Sequence, residues 1–97
     1  MSRSDINRIR EKIRLRQYDM SAHAMEMPED FLTILDVEES ALNGQVIRVE
    51  KGDPRGTKYV VVGTALDQQT YVGVVGRFAS SGQYLIITVY AVTELES

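Results

Sequence analysis

Ala41-Leu42-Asn43-Gly44-Gln45-Val46-Ile47-Arg48-Val49-Glu50 is the stretch on which the fold turns. Before it, apolar residues recur at helical spacing: Ile34, Val37 and Ala41, with Leu35 and Leu42 beside them. After it the period drops to two, around Ile47 and Val49. Asn43-Gly44 is a helix stop, with Gly44 expected in the left-handed position that ends many helices. Thr33 and Asp36 have the spacing of a capping pair at the other end of that helix.

Further toward the N-terminus, Ser4 is placed to cap a helix carrying the stripe Ile6, Ile9 and Ile13. Arg8, Lys12 and Arg16 stack on another face of it and repel one another, so the isoleucines must be buried for the helix to hold. Asp19 and Ser21 read as a break or a new cap, and Ser21 to Met27 as a short helix ended by Pro28. On the C-terminal side, Lys58–Thr64, Thr70–Phe78 and Tyr84–Val92 are β-branched or alternating runs separated by turn residues. The expectation is an α+β fold of two or three N-terminal helices packed on a four-stranded antiparallel meander. It divides the single domain into a basic helix (1–17), an acidic helical region (18–44), the sheet (45–92) and a polar tail (93–97). A helix between Gln45 and Val92, or parallel neighbouring strands, would contradict it.

A two-residue loop near Ser80-Ser81-Gly82 would put Val72, Val74, Phe78, Leu85, Ile87 and Val89 on the helix-facing side. The other side would then carry Tyr71, Val75, Arg77, Tyr84, Ile86, Thr88 and Tyr90. That second face is too apolar for plain solvent surface. Tyr71, Tyr84 and Ile86 become candidates for contact with a partner, a second copy of the chain, or the N-terminal helix. Gly73 and Gly76 interrupt a strand, marking a bulge, a tight curve or a close approach of another backbone.

The 97 residues suffice for one core, 43% are hydrophobic, and there is no cysteine, which removes disulfide, thiolate-metal and Cys-nucleophile chemistry. Neither a signal-peptide core nor an apolar run of membrane-spanning length is present, so a cytoplasmic protein without membrane contact is expected. The net charge of -3 hides an asymmetry. Residues 1–17 carry a net +4 and residues 18–97 a net -7, with seven carboxylates and no Lys or Arg between Asp19 and Gly44. The two regions either neutralise each other or present the basic helix to a polyanion.

No P-loop, G-x-S-x-G or H-E-x-x-H is present. His23 is the only histidine, open to three readings: a packing residue, an acid–base group, or a metal ligand helped by Glu26. Arg48, Lys51, Arg55, Lys58 and Arg77 are candidates for phosphate contact. Metal-free RNA cleavage needs such cations together with a proton acceptor and donor, roles that Lys, Arg, Tyr and His share. Against this, the expected register separates Arg77 from Tyr90 by about six residues, ~20 Å, too far for one scissile phosphate.

The fragments Tyr18–Met25, Leu32–Val37, Leu42–Gly44, Arg55–Val60 and Leu85–Tyr90, in this order and spacing, resemble a bacterial family of unknown function, DUF4258, common in cyanobacteria. That family resembles the RelE/ParE/MqsR-like toxins, whose helices pack on an antiparallel sheet and whose genes lie beside those of zinc-finger antitoxins. The resemblance implies an RNA-directed ribonuclease toxin of a type II toxin–antitoxin pair, working without a cofactor. By position His23 matches the family's His-Ala motif, and Arg55, Lys58, Arg77 and Tyr90 match its polar positions on and around the sheet. Taken with the residue readings above, the catalytic candidates are His23, Lys58, Arg77 and Tyr90, with Arg48, Lys51 and Arg55 on the RNA. The sequence departs from the family where Met25-Glu26-Met27-Pro28-Glu29-Asp30 is acidic rather than basic. The alternative functions are a non-enzymatic module that self-associates or binds an acidic or zinc-finger partner, and a small metal hydrolase built on His23.

Overall fold

In the computed structural model, which describes residues 3–26 and 32–92, three helices and five strands follow one another along the chain. Helix α1 spans Arg3–Arg14, strand β1 Tyr18–Met20, helix α2 Ala22–Glu26 and helix α3 Ile34–Asn43. Strands β2 (Gln45–Glu50), β3 (Lys58–Thr64), β4 (Tyr71–Phe78) and β5 (Tyr84–Val92) complete it. The sheet has the order β1-β5-β4-β3-β2. The expected α+β class and the switch of period at Gly44 hold, and no helix falls between Gln45 and Val92. The parallel neighbours that would contradict the expectation are present: Tyr18–Met20 pairs in parallel with β5. The four-stranded antiparallel meander is therefore corrected to a five-stranded mixed sheet in which β2 to β5 alone keep the antiparallel order. Three residues are too few to show a period, so the sequence reads there as a break.

Capping defines the helices. Thr33 Oγ1 accepts from the Asp36 backbone N–H, and the Asp36 carboxylate accepts from the Thr33 N–H, a reciprocal box. Ser21 caps α2 by accepting from the Ala24 N–H at 3.1 Å. Helix α1 begins at Arg3, before Ser4, so Ser4 is not its cap. The proposed end of α2 at Met27 and Pro28, and the tail 93–97, lie outside the described residues. Gly44 is extended (φ -86°, ψ -179°) rather than left-handed. Glycine is needed there for space, since a Cβ would stand 2.6 Å from the Ser40 carbonyl oxygen and 2.7 Å from that of Val62.

All three helices bury their apolar sides in one cluster with one face of the sheet. Ile6, Ile9 and Ile13 of α1, Ala24 of α2, and Val37 and Ala41 of α3 meet Tyr59, Val61, Val72, Val74, Tyr84, Ile86 and Val89. At the sheet's edge, the Tyr18 hydroxyl donates to Glu38 at 2.5 Å, tying β1 to α3. Burial, then this bond, push the phenol up to about 12.

The β4–β5 register corrects the expected division of faces. The loop runs from Ala79 to Gln83, closed by the Ala79 N–H donating to the Gln83 oxygen, by the Gly82 N–H donating to the Ala79 oxygen and by a positive φ at Gly82, so Phe78 pairs with Tyr84 and Gly76 with Ile86. Tyr84 and Ile86 are 0% exposed and belong to the core, while Leu85 and Ile87 leave it. A register shift then leaves Ile87 without a partner, and from Thr88 onward the alternation returns to the expected phase. Ser21 occupies the irregularity: its N–H donates to the Ile86 oxygen and its hydroxyl to the Ile87 oxygen. Gly73 and Gly76 make room for the rings of Tyr90 and Tyr84 respectively.

Asp36 yields a test of the capping box. Burial, the largest influence on its carboxyl, pushes its pKa up, but hydrogen bonds from the Leu66 N–H and from Thr33 outweigh it and hold it below the ordinary carboxylate range. A depressed folded pKa means stability that is complete above the unfolded value, near pH ~4, and lost as pH falls through the lower folded value. Asp36→Asn should therefore cost about 1–2 kcal/mol at pH 7, shrinking toward zero in acid. Urea unfolding at pH 7 and below pH 3 reads this directly, and an equal cost at both would exclude the ionic contribution.

Candidate phosphate-binding face of the sheet

The core lies on one face of the sheet. On the other, where Val60 is buried, most side chains are half-buried and Tyr71 is exposed, cross-strand pairing arranges the residues in rows about 4.8 Å apart from strand to strand. One row crosses all five strands: Glu50, Lys58, Arg77, Leu85 and Asp19. Glu50–Lys58, Arg77–Leu85 and Asp19–Leu85 are direct cross-strand pairs; Lys58 meets Arg77 because Tyr59 pairs with Gly76 one residue on. Behind it lie Arg48, Val60, Val75 and Thr88, then Gln45, Val62, Gly73 and Tyr90, then Thr64, Tyr71 and Val92. The face is charged at one end and aromatic toward the other.

The turn between β2 and β3 adds to the charged end. Asp53 opens it, accepting from the Arg55 N–H at 2.8 Å, and its carbonyl accepts from the Gly56 N–H at 2.9 Å. The Arg55 guanidinium lies 3.6 Å and the Lys58 ammonium 3.7 Å from the Asp53 carboxylate. Lys58 also reaches Glu50 at 3.7 Å, and Glu50 reaches Arg48 at 3.6 Å. Arg77 joins from β4, its Cδ 3.9 Å from where a Cβ on Gly56 would stand. The Arg55 backbone N–H, and then Arg55, Lys58 and Arg77 as charges, hold the Asp53 carboxyl below the usual range against the opposing effect of burial. Arg48, Arg55, Lys58 and Arg77 against Glu50 and Asp53 leave a net +2 here, in a chain whose total is -3.

The site residues expected from sequence therefore separate. Arg55, Lys58 and Arg77 come together, and Arg48 joins through Glu50. Lys51 lies on the outer side of β2, where with Asp5, Ile47, Arg48, Thr57 and Tyr59 it lines a cleft of about 680 Å³. Tyr90 shares the face of Arg77, but it pairs with Gly73, four residues along β4, a separation of ~13 Å rather than the ~20 Å expected. The longer loop and the unpaired Ile87 account for the difference. His23 is exposed on α2, whose Ala24 packs into the helix-side core, at the β1–β5 edge and two to three strands from Arg77 and Lys58. Tyr71 remains 42% exposed, as a contact residue requires. Tyr84 and Ile86 do not: the Tyr84 ring packs against Phe78 (5.0 Å between centroids) beneath α1.

Sequence reasoning missed Asp53 and Glu50 as organisers of the cations. Glu50 had a signal, since it stands two residues from Arg48 in a strand and shares its face. Asp53 reads only as turn chemistry. Among the described residues no three metal-ligating side chains come together, and no helix is long and apolar enough to cross a membrane.

Comparison with known proteins returns one family: the profile described as a domain of unknown function (DUF4258) matches residues 20–91. No curated protein and no solved structure matches the chain.

Proposed function

The chain belongs to the DUF4258 family, and from that premise we propose that it is an RNA-directed protein of the RelE/ParE/MqsR toxin kind, holding a single strand on the sheet face opposite its core. The observation that carries this reading is the gathering of Arg55, Lys58 and Arg77 at one end of that face, with the rings of Tyr90 and Tyr71 further along it. Cations that neutralise phosphates beside aromatic rings on which bases stack are what binding a flexible single strand requires. The acidic remainder of the chain opposes a long duplex more than a short strand lying along one groove.

The geometry favours binding over cleavage. Proton transfer demands donor and acceptor within hydrogen-bond reach of the reacting phosphate. Tyr90 lies ~13 Å along the strand from Arg77, and His23 stands on a helix at the far edge. Lys58 and Arg77 are therefore assigned to the phosphate, and His23 to neither binding nor proton transfer there. The partner side of the reading, a zinc-finger antitoxin or a second copy, would meet β2, whose outer edge is unpaired among the described residues and whose Ile47 is 61% exposed.

Fluorescence anisotropy with a labelled single-stranded RNA tests the proposal. Arg77→Ala and Lys58→Ala should each weaken binding about tenfold and flatten the log–log salt dependence by about 0.7. His23→Ala should leave binding unchanged. Expression should slow growth, with Arg77→Ala relieving it. Binding indifferent to Arg77 and Lys58 would end this reading.

A further inference from the structure

We infer that the Asp53 carboxylate occupies a phosphate subsite of its own chain, the cradle of Arg55, Lys58 and Arg77, which takes a phosphodiester of single-stranded RNA when Asp53 gives way. This rests on the RNA reading above and names the subsite within it.

Two cations, from the turn and from β3, reach one carboxylate, and Arg77 of β4, beside Lys58 in the register, passes the same turn with its Cδ 3.9 Å from a Cβ built on Gly56. Their approach is loose: 3.6 Å from Arg55 and 3.7 Å from Lys58. Charge-assisted hydrogen bonds close to roughly 2.7–2.9 Å. The carboxylate neutralises Arg55 and Lys58 without locking them, and with the Arg55 side chain 75% exposed that pair holds weakly. The short bond that Asp53 does make, 2.8 Å, goes to the Arg55 backbone N–H and serves the turn. Its oxygen can therefore serve the turn whether or not the group is charged.

The loop is also open to a ligand. Gly52 and Gly56 adopt φ of +109° and +128°, and no heavy atom lies within 4 Å of a Cβ built on Gly52. A Cβ on Gly56 would stand 3.9 Å from the Arg77 Cδ, so the turn backbone passes beside the Arg77 stem. A phosphodiester has the charge of the carboxylate it replaces, with non-bridging oxygens on a tetrahedral centre able to meet cations from several directions. The planar carboxylate meets Arg55 with one oxygen and Lys58 with the other.

Asp53→Asn separates charge from turn, because the amide oxygen still accepts from the Arg55 N–H. Its affinity for the labelled RNA should rise about fivefold, with a log–log salt slope steeper by about 0.7. Asp67→Asn is the control for net charge. Asp67 caps the β3–β4 turn at the other end of the sheet, accepting from Gln69 and Thr70, and its replacement should leave binding unchanged. Adding Arg77→Ala to Asp53→Asn should cancel the gain. Thermal melting verifies the fold, and Asp53→Ser, which also supports the turn, replaces the asparagine if that variant melts early. Equal or weaker binding by a folded charge-free variant overturns the subsite and leaves the RNA reading standing. Equal gains from Asp53 and Asp67 also overturn it, as bulk charge. Absence of RNA binding in the wild type and every variant overturns both.

Discussion

Gly63→Ala should cost at least about 3 kcal/mol, enough to unfold much of a domain whose total stability is on the order of 5–15 kcal/mol. Gly63 lies in β3 directly beneath α3, and a Cβ there would run into the Ser40 carbonyl oxygen and stand 2.6 Å from Asn43 Oδ1. Neither obstacle can yield cheaply. Ser40 is fully buried, its hydroxyl already bonded to the Asp36 oxygen at 2.6 Å. The Asn43 amide bridges the helix end to the strand, donating to the Thr64 oxygen and accepting from the Thr64 N–H, both at 2.9 Å. Moving α3 outward breaks this bridge and opens the core below Val37 and Ala41. Overpacking of side chains usually costs about 1–3 kcal/mol, and two backbones in contact leave less room to relax. Equilibrium urea unfolding measures the loss, and a cost below about 1 kcal/mol would show that α3 does not rest on β3 as described.

Ile9→Ala should cost about 3 kcal/mol, within the range of roughly 2–5 for a fully buried large-to-small change. Ile9 is 0% exposed between Ile6 and Ile13, and α1 has little else to hold it. Arg8 finds the Phe78 ring at 4.1 Å and a loose contact with Asp5 at 3.8 Å; Arg10 donates to the Gly44 oxygen at 2.8 Å. The exposed Arg8 contacts contribute at most about 1 kcal/mol each, and the part-buried Arg10 bond about 1.5–3 kcal/mol. The burial of three isoleucines therefore outweighs the repulsion between Arg8 and Lys12; Arg16, expected on the same face, lies past the helix end with φ 59°. The loss should appear as a lower urea midpoint with little change in slope, and should persist at high salt because its cause is apolar. A loss that disappears in salt would assign α1's attachment to its charges instead.

Much of the fold is legible along the chain because its signals are local. Thr33 and Asp36 are three residues apart, and the box they form needs nothing from elsewhere. The runs 45–50, 58–64 and 84–92 have the composition and boundaries of strands, and each is one. What local signals miss is Tyr18–Met20, which is a strand only because the edge of β5 lies beside it. They also miss the phase of Tyr84 and Ile86, which depends on how many residues the Ala79–Gln83 loop contains and where Ile87 slips out of register.

The candidate site divides the same way. Arg48, Arg55, Lys58 and Arg77 are visible as cations near turns and strand ends, but their mutual distances depend on which strands pair and in what register. Once β3 lies between β2 and β4, Lys58 stands beside both Glu50 and Arg77, and the Asp53 turn folds over the same end. His23 belongs to a conspicuous motif in sequence, yet α2 carries it to the other edge. By itself, then, the sequence determined where helix ends and strand begins, because backbone preference and side-chain period act over a few residues. Only the tertiary structure decided which faces are covered and which charges meet, because a single added loop residue or bulge turns every following side chain to the other side of the sheet.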